Sequence, residues 1–181
     1  MARIRAPFPV KLFIGVLTAH QELLESVLET LTGRYGPTDH QSGIIPFNFT
    51  DYYESEMGSP LVKKLWSFGR LIEPDRLAEI KKETNSIEDM FAADSDTARP
   101  VNLDPGYVTP AKVVLATAKD FPHRIYLGEG VYAEVTLTYE SKEWHSHRWT
   151  YADYKQDSYR EFFSKIRTIL LGQLKDNSPE S

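Results

Sequence analysis

Apolar residues along the first part of the chain follow a strand spacing and then a helix spacing. Val10–Thr18 is almost continuously apolar, which is typical of a strand covered on both faces. In residues 22–34, leucine and valine recur on one helical stripe, and Gly33 and Gly36 can end the helix. The pattern predicts a central β-strand followed by an amphipathic α-helix.

Two further strands and a second helix are predicted next. Residues 42–49 and 63–72 have the aromatic and β-branched composition of strands. The polar connection between them, residues 51–60, is too long for a tight hairpin and could form a flap. Pro74 beside acidic residues marks a helix start, and this helix would bury Leu77, Ile80, Ile87 and Phe91. The predicted order at this point is βαββα.

The second half of the chain adds a short strand, a helix, a hairpin and a final helix. Residues 94–99 read as a mobile loop and residues 100–103 as a strand, and Thr109 with Pro110 begins a helix that runs to about residue 119. Apolar and polar residues alternate through Val131–Glu140 after a turn at residues 128–130, which predicts a hairpin with one core face and one exposed face. The final helix, residues 153–174, is expected to bury Tyr159, Phe162, Phe163, Ile166, Ile169 and Leu170.

The predicted fold class is α+β, with a mixed or mainly antiparallel sheet and helices packed mostly on one face. A ferredoxin-like βαββαβ core with an added helix and β-hairpin is one arrangement that the element order allows. The 181 residues fit a single domain spanning the whole chain. Its ends, about residues 1–8 and 176–181, are expected to be frayed.

Composition and charge exclude several classes of function. The net charge of −5 argues against general nucleic-acid binding, because such binding depends on clustered Lys and Arg that neutralise phosphates. The chain has no cysteine, which excludes disulfides, zinc ribbons and thiol catalysis. No apolar run approaches the roughly 20 residues that a spanning helix needs, and the apolar stretch after Pro9 lacks a cleavage pattern. We therefore expect a cytoplasmic protein that does not bind membranes.

The residues Asp104, Pro105, Gly106 and Tyr107 have the composition of a type II turn. Proline fixes φ at the second turn position, and glycine permits the positive φ of the third. The Asp104 carboxylate could cap this turn, or it could serve a ligand or a catalytic step. Tyr107 beside it is a candidate ligand contact.

Three basic residues are candidates for an anion site. Lys112 and Lys119 are seven positions apart on the predicted helix and hence on nearly the same side, and Arg124 follows the helix end. The lysines could equally do no more than keep an exposed helical face hydrated. A three-residue hairpin turn would also place Arg124 opposite Glu134, where an ion pair is a sufficient reason for both.

Carboxylates and histidines supply the candidates for catalysis and metal binding. Asp51 and Glu56, with Glu54 between them, could bind Mg²⁺ or supply a general base, although the spacing matches no calcium loop and a hydrated connection explains them equally well. His123 is a candidate acid–base group. A further pair, His145 and His147, has strand spacing on one side but no evident third ligand. The sequence therefore identifies no cofactor, and Mg²⁺ is the one metal considered.

Several motifs are absent from the chain. It has no GxxxxGK[ST] phosphate loop and no GxGxxG dinucleotide fingerprint. It has no HExxH zinc motif and no GxSxG nucleophile motif either. Standard nucleotide-hydrolase, Rossmann, zinc-protease and α/β-hydrolase functions are excluded.

Several strings of residues spread along the chain are distinctive when taken together: residues 10–15, 49–53, 56–58, 102–107, 115–120 and 123–128, with Lys112. They resemble one family, the prokaryotic domain-of-unknown-function family numbered forty-four sixteen. The resemblance covers almost the whole chain, and the family has no established activity. Members are often labelled GTP-binding protein, so the resemblance implies nucleotide binding by label alone. A guanine-reading NKxD string is missing here, and any nucleotide would have to bind in a different architecture.

Two hypotheses about function follow. The first is a small-molecule enzyme or binding domain for a phosphorylated or carboxylated ligand, with Lys112, Lys119 and Arg124 as anion donors. The second is a non-catalytic protein-interaction domain that docks a partner through an aromatic surface. This surface would include Tyr52, Tyr53, Trp66, Trp144 and Trp149. Mixed charges that converge on one cleft would favour the first hypothesis, and a flat aromatic patch would favour the second.

Overall fold

The computed structural model describes residues 3–49 and 54–176. An α+β fold with a mainly antiparallel sheet is confirmed. The elements in chain order are β1 (Val10–Thr18), α1 (Leu24–Tyr35), β2 (Thr38–Gln41), β3 (Ile45–Pro46), α2 (Glu54–Met57), β4 (Val62–Ile72), α3 (Leu77–Ala93), β5 (Asn102–Val108), β6 (Lys112–Thr117), β7 (Ile125–Gly128), β8 (Val131–Glu140), β9 (Glu143–Ser146) and α4 (Asp157–Asp176).

All strand pairs among the described residues are antiparallel, and the order across the sheet is β2-β4-β1-β5-β6-β8-β7. Strand β3 pairs with β4, and β9 pairs with β8. Every residue of β1 is buried because β1 lies between β4 and β5 and is covered on both faces. Helix α1 leads from β1 to β2, and α3 leads from β4 to β5. This order allows the ferredoxin-like core, whose assignment stays a prediction.

The long helices cover both faces of the sheet. Alternate residues of β1, such as Leu12 and Ile14, pack against α1 and α3 on one face. Phe13 points to the opposite face, where its ring meets Phe163 of α4 edge-on with centroids 5.0 Å apart. Two of the three long helices therefore share one face, and α4 forms the core of the other. No helix among the described residues is long and apolar enough to cross a membrane.

The helix predicted for residues 109–119 is wrong, because most of this segment is strand β6. The Thr109 hydroxyl accepts hydrogen bonds from the N–H groups of Ala111 and Lys112, as a helix cap would. The Thr109 N–H, however, donates to the carbonyl of Lys112 and closes a tight turn between β5 and β6. A local capping signal served a hairpin turn, and the β-branched residues after it joined the sheet.

The type II turn predicted at residues 104–107 is also wrong, because these residues lie inside β5. Gly106 is not among the glycines with positive φ. A Cβ atom at Gly106 would lie 2.5 Å from the Val114 carbonyl oxygen and 2.6 Å from the Phe13 ring. Glycine is required there by close packing of β6 and Phe13, not by backbone conformation.

Two strand predictions need correction. The second strand was expected at residues 42–49, but only the two-residue β3 lies in that range, and the longer β2 precedes it. In β8 the register against β6 shifts between Val113 and Val114, so Glu134 and Thr136 are buried on the face that was expected to be exposed. In the final helix, Ile169 is only half-buried, while the five other predicted core residues are buried.

We predict that Gly106→Ala lowers the free energy of unfolding by roughly 1–3 kcal/mol, because the added methyl group overpacks the contact between β5, β6 and Phe13. Gly172→Ala is the matched control: Gly172 is exposed in α4 with nothing near its Cβ position, and alanine favours the helix by up to about 1 kcal/mol. Urea unfolding should therefore shift the two midpoints in opposite directions. Equal midpoints for Gly106→Ala and wild type would contradict the packing argument.

Candidate functional site

The sheet splits between β5 and β6. Residues 106–108 of β5 pair with residues 113–115 of β6, but pairing stops there. Strand β5 continues beside β1 as far as Asn102, and β6 continues beside β8 as far as Thr117. In unbroken register Asp104 would face Thr117 and Asn102 would face Lys119. The two strands instead diverge and leave a cleft, named here the β5–β6 cleft.

Side chains of α3 replace β6 at the edge of β5. The Leu103 N–H donates to Glu88 Oε1 at 2.7 Å, and the Leu103 carbonyl accepts from Lys81 Nζ at 2.9 Å. These are the two groups that a strand partner would otherwise satisfy. Pro105, two residues on, points its backbone nitrogen to the same side and has no N–H to donate. The ladder therefore ends at Pro105 without leaving Leu103 unsatisfied.

The β5–β6 cleft has a volume of about 700 Å³ and a lining of mixed charge. Apolar residues such as Leu17, Phe47, Phe49 and Leu115 form part of its walls. The basic lining residues are Lys63, Lys81, Arg99 and Lys119. The acidic lining residues are Glu88, Asp89, Asp104, Glu134 and Asp153. A volume and polarity of this kind are typical of small-molecule sites.

Lys63 crosses β1 to reach Asp104. Its Nζ atom lies 2.6 Å from Asp104 Oδ2, although β1 separates the parent strands β4 and β5. Gly15 of β1 pairs with Asp104, and a Cβ atom at Gly15 would lie 3.0 Å from Lys63 Cε. Because Gly15 has no side chain, the Lys63 side chain can cross β1 at this position. The same Asp104 oxygen accepts a second hydrogen bond, 2.9 Å long, from the Asn102 amide.

The carboxylates of the cleft differ in their electrostatics. Burial raises the pKa of Asp104, but the charges of Lys63 and Lys81 and the hydrogen bonds from Lys63 and Asn102 outweigh it and lower the pKa to about 2. Burial raises the pKa values of Glu88 and Asp153 above their usual range. Asp104 is therefore an ionised acceptor at neutral pH, whereas Glu88 and Asp153 hold protons more readily.

A second polar group lies behind the cleft around Glu134, whose side chain is 1% exposed. Glu134 Oε2 is 3.0 Å from His123 Nε2 and 3.1 Å from Arg124 Nε. This confirms the ion pair predicted from the hairpin register. Arg124 also donates to the Lys119 carbonyl at 2.8 Å and to the Tyr151 hydroxyl at 2.5 Å. Because Lys119 and Tyr151 both line the cleft, the hydrogen bonds of Arg124 connect two parts of its lining.

The histidines are held by stacking. The His123 ring stacks on Trp149 with centroids 5.1 Å apart, and His147 stacks on the same indole at 4.8 Å. His145 Nε2 lies 3.1 Å from the Glu140 carbonyl oxygen. Within residues 3–49 and 54–176, no three His, Cys, Asp or Glu side chains lie close enough together to hold a metal ion. Asp51 lies outside these ranges, so Mg²⁺ binding by its loop stays a prediction.

The structure separates the residues predicted to form one site. Asp104 and Lys119 line the cleft, and Arg124 and His123 contact it through Glu134. Lys112 stands at the opposite end of β6, about 16 Å of strand away from Thr117. Because the expected helix is absent, the premise that Lys112 and Lys119 share a helix face is wrong.

Two other candidates lie away from the cleft lining. Glu56 is an exposed residue of α2, and its backbone carbonyl accepts a hydrogen bond from the Arg99 N–H. Tyr107 packs on the α3 side of the sheet, opposite to Asp104, and burial raises its pKa. Neither side chain is placed to meet a ligand bound at Asp104.

Sequence reasoning missed Lys63, Lys81, Glu88, Asp153 and Tyr154. A signal existed for three of them. Lys63 interrupts a buried strand, and Lys81 and Glu88 occupy the buried stripe of α3 beside Leu77, Thr84 and Ile87. Charged residues in buried positions need a partner, and that need points to a polar site. The residues before α4 carried no comparable signal.

The fold and the cleft together define the class of this protein: an α+β domain whose antiparallel sheet opens into a cleft of mixed charge. Residues 8–169 match the family described as Domain of unknown function (DUF4416), and the chain belongs to that family. No curated protein and no solved structure matches the chain. Family membership therefore supplies no activity for the cleft.

We predict that Asp104 makes stability depend on acid. Its folded pKa of about 2 lies below the ordinary 3.8, so its contribution is present above pH 3.8 and is lost as pH falls through 2. The free energy of unfolding of wild type minus that of Asp104→Asn should shrink by up to about 2 kcal/mol between about pH 4 and pH 2. Urea unfolding across that range measures this difference. A difference that does not vary with pH would contradict the Asp104 assignment.

Proposed function

We propose that the β5–β6 cleft binds a small ligand carrying a phosphate or carboxylate group, in a binding domain or a small-molecule enzyme. The main support is the split itself, because polar side chains converge where the sheet ladder is interrupted. Unbroken pairing would bury these strands more simply, and sites are commonly found where a scaffold departs from regular structure. The mixed charge of the lining favours a ligand over a flat docking surface.

The anionic group is best accommodated at the mouth of the cleft. Arg99, whose side chain is 33% exposed, lies just before β5 and is 3.2 Å from Glu88. Lys119 lies just after β6 and is exposed. Arg99 also contacts Asn102 of β5, and both Arg99 and Lys119 line the cleft. Arg99 and Lys119 are therefore the more exposed cations of the lining and come from both walls, whereas Lys63 and Lys81 are buried.

If the cleft is catalytic, its carboxylates divide into two roles. Asp104, with a pKa of about 2, is too weak a base at neutral pH and is better suited to binding and orienting a ligand. Asp153 and Glu88 have raised pKa values because of burial, which suits acid–base work. His123 contacts the cleft through Glu134, so its part would be to position that carboxylate. Roles for Asp51 and Glu56 stay predictions.

The alternative of a protein-interaction domain has less support from the aromatic residues. Trp66 and Trp144 are buried, and the Trp149 ring is stacked between His123 and His147. Some apolar side chains of the β7 hairpin are exposed, including Ile125 and Tyr126. The tryptophans therefore do not present a broad exposed surface, and Tyr52 and Tyr53 lie outside the described residues.

Lys119→Met should weaken binding of an anionic ligand about tenfold or more, because a charge-assisted hydrogen bond at the mouth is lost. Lys112→Met is the matched control, since it removes the same charge from the opposite end of the same strand. Calorimetry with inorganic phosphate, glucose 6-phosphate, ribose 5-phosphate and citrate measures both variants against wild type. Equal loss in the two variants, or no binding by wild type, would overturn the proposal.

GTP is not expected to bind tightly or with selectivity for guanine. The connection from β1 to α1, residues 19–23, contains no glycine, and the chain has no phosphate loop. Calorimetry with GTP and Mg²⁺ should therefore give no micromolar, guanine-specific affinity. Micromolar binding of GTP that is absent with ATP and lost in Lys119→Met would show that the cleft is a nucleotide site of unfamiliar design.

A further inference from the structure

The inner wall of the β5–β6 cleft carries an unsatisfied hydroxyl group. Tyr154 is 2% exposed, and its buried hydroxyl oxygen has no hydrogen-bond partner among the described residues. The other buried side-chain atoms of the described chain that lack a partner belong to residues outside the cleft lining. A buried donor without an acceptor is unfavourable, so this position is suited to an acceptor supplied by a ligand.

The Tyr154 ring is fixed in place. It stacks on Phe163 of α4 with centroids 5.9 Å apart and lies 5.0 Å from the Tyr159 ring. Burial, with the nearby charges of Asp104 and Asp153, raises the pKa of Tyr154 well above its usual range. The phenol therefore stays protonated and can donate. It cannot easily turn to find another partner, because the core of α4 holds the ring.

Asp104 offers an unused acceptor near this donor. Both of its protein hydrogen bonds, from Lys63 and Asn102, go to Oδ2. Among the described residues Oδ1 has no partner, and the Asp104 side chain is 31% exposed. Within residues 3–49 and 54–176, the inner cleft thus presents one donor atom, the Tyr154 hydroxyl oxygen, and one ionised acceptor atom, Asp104 Oδ1, that make no hydrogen bond. A hydroxyl group can satisfy the two at once, because it donates one hydrogen bond and accepts another.

An anionic group would fit poorly at this depth. Asp153 and Asp104 both influence Tyr154, and the cations nearest to them, Lys63 and Lys81, already contact Asp104 and the Leu103 carbonyl. A phosphate or carboxylate beside these carboxylates would be repelled, whereas a hydroxyl group would be held. Arg99 and Lys119, the more exposed cations of the lining, instead carry positive charge at the mouth. The cleft is therefore graded from cationic outside to hydroxyl-binding inside.

The size of the cleft and its apolar wall fit a ring or chain of carbon atoms between these ends. The volume of about 700 Å³ holds a ligand of metabolite size. Phe47 and Phe49 line one wall, with their rings edge to face at 5.4 Å. Such rings can cover the C–H groups of a ligand whose polar groups point to Asp104 and Tyr154.

We propose that the ligand of the β5–β6 cleft is a hydroxylated phosphate ester, of the sugar phosphate class. Its phosphate lies between Arg99 and Lys119, and an inner hydroxyl group accepts from Tyr154 and donates to Asp104. This inference rests on the proposed function and names its ligand class. It requires more than anion binding, because inorganic phosphate can occupy the mouth without a carbon-bound hydroxyl group between Asp104 and Tyr154.

Tyr154→Phe tests the inference with little risk to folding, because the hydroxyl group that it removes has no partner among the described residues. We expect the affinity for glucose 6-phosphate or ribose 5-phosphate to fall about tenfold and that for inorganic phosphate to stay unchanged. Tyr139→Phe is the control: its ring lies under Arg167, 3.7 Å from ring centroid to guanidinium carbon, outside the cleft lining. Calorimetry gives the affinities, and thermal unfolding checks that both variants fold.

The possible results distinguish failure of the sugar phosphate inference from failure of the proposed function. If inorganic phosphate binds and depends on Lys119, but sugar phosphates bind no more tightly, the proposed function holds and the sugar phosphate inference is wrong. Sugar phosphate binding that is unchanged by Tyr154→Phe also overturns the inference. If none of these compounds binds to wild-type protein, both the proposed function and the inference fail.

Discussion

The backbone N–H and carbonyl groups of Leu103 must form hydrogen bonds without a neighbouring strand. The opening of the sheet and the charges in its interior both depend on how these two groups are satisfied. A buried N–H and carbonyl left without partners would each cost about 1–3 kcal/mol. Glu88 and Lys81 of α3 supply the two partners, at 2.7 and 2.9 Å. Since side chains satisfy the edge of β5, β6 is free to diverge, and the fold can hold an opening in its sheet.

Because the side chains of Lys81 and Glu88 take the place of a neighbouring strand, they bring charge into the interior. The buried charges then stabilise one another in pairs. Lys81 lies 4.0 Å from Glu88, which also contacts Arg99 at 3.2 Å. On the other face of the sheet, Lys63 meets Asp104 across Gly15. Buried ion pairs contribute little net stability compared with apolar packing, but removal of one partner leaves an uncompensated charge. A cleft lined in this way adds little net stability to the fold, which agrees with the proposal that it binds a ligand.

The sequence predicted the elements whose cause is local or periodic. The buried strand β1, helices α1 and α3, the β7–β8 hairpin and the Arg124–Glu134 pair all follow from spacing within one or two elements. The predictions based on Thr109 and Gly106 were wrong because cap and turn signals depend only on residue type. In the structure Thr109 closes a hairpin turn, and Gly106 is required by its contact with Phe13. Tertiary context overrode the local signal in both places.

The candidate site was harder to predict because its members meet only through the sheet. Asp104 was identified for a turn that does not exist, and its partner Lys63 lies two strands away in sheet order, on the far side of β1. No local sequence pattern can specify a contact between side chains whose strands are separated by a third strand. What the sequence does offer is a conflict: Lys63 and Lys81 occupy positions that their neighbours identify as buried. Such conflicts are expected at functional sites, so a search for charged residues at core positions would have found this cleft from the sequence more directly than a search for motifs.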